Sequence, residues 1–165
     1  MFRLNMRLAF LVLMLALSLS SCTWYLRPGG GYGYGQGDII SVFMPDRGEG
    51  ASYFVGETVS FRFHSRLSGY VTLSAIDPDG AVYVLEANLP VVAGQMMNFP
   101  NGRSSYRLVP PAGLHRVRAA FSPSRTAGNY NQLQGSDLWT QRIVTELEPY
   151  PADQRAVAET YFYLR

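Results

Sequence analysis

Between residues 58 and 66 apolar and polar positions alternate. Val59, Phe61 and Phe63 fall on one side, and Ser60, Arg62 and His64 on the other. A period of two marks a strand with one dry and one wet face. Short apolar runs flank it in the same rhythm. Ile39, Ile40, Val42 and Phe43 make a first strand ending at Pro45, and Asp46 to Gly50 is a polar, glycine-containing loop. Tyr70 to Ile76 and Ala81 to Glu86 are two further strands, separated by Asp77-Pro78-Asp79-Gly80. Proline at the second position and glycine at the fourth suit a type I turn. With Leu67-Ser68-Gly69 as another short turn, residues 58–86 are expected to form a three-stranded antiparallel meander.

Leu89 to Val92, Met96 to Phe99 and Tyr106 to Val109 continue the series of short apolar runs. In Leu114 to Ser122, Val117, Ala119 and Phe121 alternate with Arg116, Arg118 and Ala120. Residues 123–135 read as a polar loop, after which Ser136 is placed to cap a helix and Asp137 to favour its first turn. Trp139, Ile143 and Leu147 recur every four residues and share one face, so Asp137 to Glu148 is expected to be an amphipathic helix stopped by Pro149 and Pro151. Val157 to Leu164 closes the chain as a strand with Tyr161 and Tyr163 on one side and Phe162 and Leu164 on the other. Roughly eight short strands and one helix, without βαβ alternation, give a mainly β fold. The expectation is an antiparallel β-sandwich of immunoglobulin-like outline over residues 38–165, with one amphipathic helix near the C-terminus.

The start of the chain obeys a different pattern. Arg3 and Arg7 precede ten uncharged apolar residues from Leu8 to Leu17, and Ser18, Ser20 and Ser21 then interrupt the run. A membrane-spanning helix needs roughly 20 apolar residues, whereas a basic start, a short apolar run and small residues make a secretory signal peptide. Ser20-Ser21 before Cys22 resembles the bacterial lipobox, which implies cleavage between Ser21 and Cys22 and lipidation of Cys22. Residues 1–21 are then the leader. Two or more acyl chains anchor stably where one does not. Cys22 is the single cysteine of the chain, so no internal disulfide competes for it. Residues 22–37, rich in glycine and carrying Trp24, Tyr25, Tyr32 and Tyr34, read as a flexible tether. Aromatic rings with polar tips favour membrane interfaces, so Trp24 and Tyr25 are candidates to rest on the headgroups, and all four are candidate contacts with an envelope partner or polymer.

Charge narrows the partners. The chain has 14 basic residues, all arginine, and 12 acidic ones. Two of the arginines lie in the leader, so the rest is formally neutral and lacks the basic field that drives nucleic-acid binding. Tyrosine is abundant, at 11 residues, and suits pleated half-buried surfaces. Arg62, Arg116 and Arg118 are expected on outward strand faces, where they would make a local basic patch for carboxylates or phosphates if their strands are neighbours. The competing reading is an ordinary solvated face balanced by acidic residues.

Groups that signal catalysis are sparse. His64 and His115 sit on separate expected strands with no nearby ligand partner, so no metal is expected. Asp77 and Asp79 fit a turn better than a calcium loop, because the later ligands of such a loop are missing. No nucleophile elbow or phosphate loop appears, and no cofactor is expected.

Three stretches carry a family resemblance: Tyr53-Phe54-Val55-Gly56-Glu57-Thr58-Val59, Ser68-Gly69-Tyr70-Val71, and Ile76-Asp77-Pro78-Asp79-Gly80. With Phe99-Pro100-Asn101 and Pro111-Ala112-Gly113 after them, the order resembles the bacterial domain of unknown function four-three-eight-four over about residues 50–122. Glu86 to Pro90 departs from the family's pattern and leaves the strand pairing there open. The resemblance implies a β-sandwich module of secreted or envelope proteins, with no activity or catalytic residues to carry over. The expected function is a non-enzymatic envelope lipoprotein that binds or braces another envelope protein complex. The alternative is a module binding glycan or another envelope polymer through tyrosine faces and arginine. An enzyme with a site assembled in space is a third reading.

Overall fold

The structure, a computed structural model, describes residues 39–101 and 105–165. Ten strands and one α-helix make up the regular elements among these residues, with a short 3-10 turn at Ala152–Gln154. The strands are β1 (Ile40–Pro45), β2 (Ser52–Tyr53), β3 (Thr58–Val59), β4 (Phe61–Ser65) and β5 (Gly69–Ile76). They continue as β6 (Val82–Val91), β7 (Met96–Phe99), β8 (Tyr106–Arg107), β9 (Gly113–Ser122) and β10 (Ala156–Leu164). The helix α1 spans Ser136–Leu147.

Two sheets face each other. The smaller has the order β1-β4-β7 and the larger β2-β10-β9-β5-β6, while β3 and β8 form a two-stranded ladder of their own. All pairings are antiparallel except β2 with β10, which is parallel. The core lies between the sheets: Phe63 of β4 meets Val71 and Leu73 of β5 and Ala119 and Phe121 of β9. A second cluster continues it through Val59, Phe61, Val117 and Phe162. The fold is therefore the expected mainly β sandwich with one helix near the C-terminus.

The expected meander is only half right. β5 and β6 form the hairpin, closed at Asp77 by the bond from the Gly80 N–H to the Asp77 carbonyl (3.0 Å). β4, however, pairs with β1 and β7 in the other sheet. Leu67-Ser68-Gly69 carries the chain across the sandwich instead of folding it back. The Ser65 hydroxyl fixes that corner by donating to the Leu67 carbonyl (2.8 Å), a local side-chain turn indifferent to which sheet receives the next strand. A Cβ on Gly69 would stand 2.5 Å from the Ser122 carbonyl oxygen, so β5 approaches the end of β9 closely because the residue is glycine.

The strand expected over residues 58–66 breaks at Ser60 into β3 and β4, and the Ser60 carbonyl accepts from the Asp46 N–H (2.8 Å). β6 runs unbroken to Val91, absorbing two expected strands. At Glu86 to Pro90 its register slips: Leu73 faces Glu86 while Val71 faces Leu89. Asn88 sits in that bulge with φ 54, a conformation asparagine tolerates. Its amide holds Thr126 by both backbone groups, at 2.9 and 2.8 Å. The 123–135 loop thus lies along the β6 edge, which is also bonded from Val82 N–H to the Leu133 carbonyl (3.1 Å), and so shields an edge strand from other chains.

α1 packs on the outer face of the larger sheet, burying Trp139, Ile143 and Leu147 as the spacing predicted. Its N-cap is Gly135 and not Ser136, and no side chain caps it. Ser136 is instead the first helical residue, and its carbonyl accepts from the Thr140 hydroxyl (2.8 Å).

Candidate functional site

The lipidation and tether residues Ser21, Cys22, Trp24, Tyr25, Tyr32 and Tyr34 lie outside the described residues. So does the leader. Among the described residues no helix is long and apolar enough to cross a membrane.

The three arginines of the expected basic patch do not meet. Arg62 lies on the outer face of the smaller sheet, exposed, with its guanidinium 3.3 Å from the Met44 sulfur. Arg116 and Arg118 project from the opposite side of the sandwich. Arg118 is not on a wet face at all: it is 2% exposed. Ser74, Arg118 and Glu159 form one row across β5, β9 and β10, and α1 roofs that row. Arg118 Nε donates to Glu159 (2.6 Å), and its Nη1 donates to the Thr140 hydroxyl (2.8 Å). The guanidinium lies over the Trp139 ring, whose indole N–H donates to Ser74 (2.9 Å). A buried charge needs such pairing to be tolerated. This cluster seats the helix.

α1 leaves the far half of that face uncovered. There Tyr161 and Tyr163 stand side by side with ring centroids 6.1 Å apart, and Arg116 lies opposite Tyr161. Arg116 makes only a loose ion pair with Glu159, at 4.0 Å.

His64 and His115 belong to different sheets. His64 points outward and bonds the Ser41 hydroxyl. His115 is buried between the sheets, its ring parallel to Phe162 at 5.2 Å and its Nε2 bonded to the Pro111 carbonyl (2.9 Å). The Asp77 carboxylate accepts from the Ala81 N–H (2.9 Å) and so closes the hairpin turn. Among the described residues no group of three or more histidine, cysteine or acidic side chains could hold a metal.

One end of the sandwich is built differently. Phe54-Val55-Gly56-Glu57 is a tight turn closed by Glu57 N–H to the Phe54 carbonyl (3.0 Å), with Gly56 at φ 90 as a type II turn requires. The Glu57 carboxylate reaches back to the Phe54 N–H (2.8 Å) and takes both ends of the Arg47 guanidinium at 3.0 and 3.1 Å. The Arg47 fork and the Phe54 N–H hold the Glu57 carboxyl below its usual range. Two further bonds clamp the turn: Val55 N–H to the Arg165 carbonyl (3.1 Å) and Gly56 N–H to the Leu108 carbonyl (2.8 Å). Yet Phe54 and Val55 are 62% and 49% exposed, and Val109, just beyond the end of β8, is 62% exposed. Large apolar side chains on a fixed backbone face solvent. The sequence carried this signal in the glycine of Phe54-Val55-Gly56-Glu57, but the clamp depends on Arg47 in the preceding loop and on Arg165, distant in the chain.

Beside that end, a cavity of about 150 Å³ opens between the sheets, lined by Phe61, Leu85, Tyr106, His115, Val117 and Phe162 among others.

No curated protein and no solved structure matches the chain. The stretch that matches a known family begins with β2 and the Phe54–Glu57 turn and ends just past β9. β10, outside that stretch, fills the larger sheet between β2 and β9. Residues 52–125 match the family described as domain of unknown function (DUF4384).

Proposed function

We propose that this protein is a non-enzymatic envelope lipoprotein, held by lipid at Cys22, whose β-sandwich binds or braces another envelope protein complex. The observation that carries this reading is the clamped Phe54–Glu57 turn, which presents Phe54 and Val55 beside Val109. Exposed apolar groups on a prefixed backbone lose little conformational entropy when a partner covers them, and apolar clusters of this kind mark protein contacts. The leader and the Ser20-Ser21-Cys22 sequence support export and anchoring, and the Gly/Tyr tether gives the domain reach from the membrane.

A second reading rests on a different surface. Tyr161, Tyr163 and Arg116 offer ring faces and a planar cation on the uncovered half of the larger sheet, the chemistry that suits a glycan or other envelope polymer.

Affinity purification of the lipidated chain from its own membranes in mild detergent separates the two. The proposal expects one envelope protein at a stoichiometric ratio, resistant to moderate salt, reduced by Cys22→Ala and abolished by Phe54→Ser with Val109→Ser. Recovery of polysaccharide alone, lost on Tyr163→Ala, would shift the function to polymer binding.

A further inference from the structure

The end cavity joins apolar walls to two buried polar atoms. Tyr106 and His115 both line it: His115 Nδ1 is buried without a hydrogen-bond partner, and the buried Tyr106 hydroxyl completes no hydrogen bond of ordinary geometry although the Glu86 carboxylate stands near it. Such atoms are uncommon in folded proteins and point to an unrecorded partner. Their roles are defined. The Pro111 carbonyl can only accept, so His115 Nε2 is the donor there, and in that tautomer Nδ1 is an acceptor. Tyr106 can give or take a bond. The remaining walls include the rings of Phe61 and Phe162 and the branched side chains of Leu85 and Val117.

Size sets the scale of the occupant. A volume of about 150 Å³ is that of a cavity known to take a single benzene ring. An occupant matching all of these features is one neutral six-membered ring bearing an O–H. It donates to an acceptor, accepts from a hydroxyl and lays its faces against aromatic walls. We infer that the cavity is a binding site for a phenol, supplied as a small free phenol or as a tyrosine side chain of a bound protein. The inference does not depend on the lipid anchor or on the partner proposed above.

The test uses the full chain in mild detergent with methyl groups labelled for NMR, titrated with p-cresol, toluene and N-acetyl-tyrosinamide. The expected result is saturable movement of the Leu85, Leu108 and Val117 methyl signals. p-Cresol should bind about tenfold more tightly than toluene, the worth of one hydrogen bond. Tyr106→Phe, which keeps the ring and removes the hydroxyl, should reduce that preference. Binding of N-acetyl-tyrosinamide as well as p-cresol identifies a tyrosine side chain as the source, and binding of p-cresol alone identifies a free phenol. No saturable shift at these methyls, or equal affinity for p-cresol and toluene in the unsubstituted chain, would overturn the inference whether or not the variant folds.

Discussion

The Trp139 ring covers the Arg118 guanidinium at 4.0 Å, so the helix reaches the sheet through a cation that the strand pattern marks as outward. Cation–π contact, ion pair and hydroxyl bond all converge on one buried group. Arg118→Ala removes them together and leaves Glu159 without its closest partner. Unfolding in urea should show a loss of about 3–5 kcal/mol. Replacing the pair by Arg118→Met with Glu159→Met should recover much of that loss, because apolar residues of similar volume need no partners.

Ser74 serves the same roof from the neighbouring strand. Its hydroxyl accepts the Trp139 indole N–H at 2.9 Å in a fully buried setting. Ser74→Ala orphans that donor and should cost about 1–3 kcal/mol in the same assay, with near-ultraviolet circular dichroism reporting a loosened tryptophan.

Gly69 has no room for a side chain. A Cβ there meets the Ser122 carbonyl at 2.5 Å and the Phe121 ring at 2.7 Å, and the first is backbone that cannot swing away. Gly69→Ala should destabilise by about 1–3 kcal/mol through forced strand displacement. Thermal unfolding measures it.

Two groups beside the turn give it opposite pH responses. Glu57 has a folded pKa depressed from 4.5, chiefly by Arg47. Its contribution is present above about pH 4.5 and is lost as pH falls through the folded value. The apolar turn should therefore loosen in acid, and Glu57→Gln should remove that part of the acid response. Tyr53 behaves in the opposite sense. Burial, with its bond to Asp46 (2.7 Å), pushes its hydroxyl from 10.0 up to about 12. Its contribution is complete below pH 10 and disappears as pH rises toward 12. Tyr53→Phe should flatten the alkaline limb of the stability curve.

Periodicity made the inner faces legible. Val59, Phe61, Phe63, Val117, Ala119 and Phe121 are all buried where alternation put them, and the Trp139–Ile143–Leu147 stripe is the helix's buried face. A period of two distinguishes two faces but not what covers the second one. Arg118 therefore looked wet until α1 was in place above it. The corner at Leu67–Gly69 likewise has the same local chemistry whether the chain turns back or crosses to the other sheet, so the meander could not be told from a crossover. The Phe54–Glu57 turn sat inside the family-like motif. Its rigidity comes from Arg47 and Arg165, and its exposure from packing that the motif does not encode. His115 and Tyr106 gave no sign of meeting one cavity, because the break at Pro110-Pro111 lies between them and they belong to different strands.

The central claim is that the Phe54–Val55–Val109 end meets an envelope protein, and site-specific photo-crosslinking in intact membranes tests it most directly. A photoreactive residue at Val109 should give one discrete protein adduct that competes away with unlabelled full chain. The same residue at Arg62, exposed on the outer face of the smaller sheet, should give none. Absence of an adduct at Val109, or an adduct of equal yield at Arg62, would contradict the account.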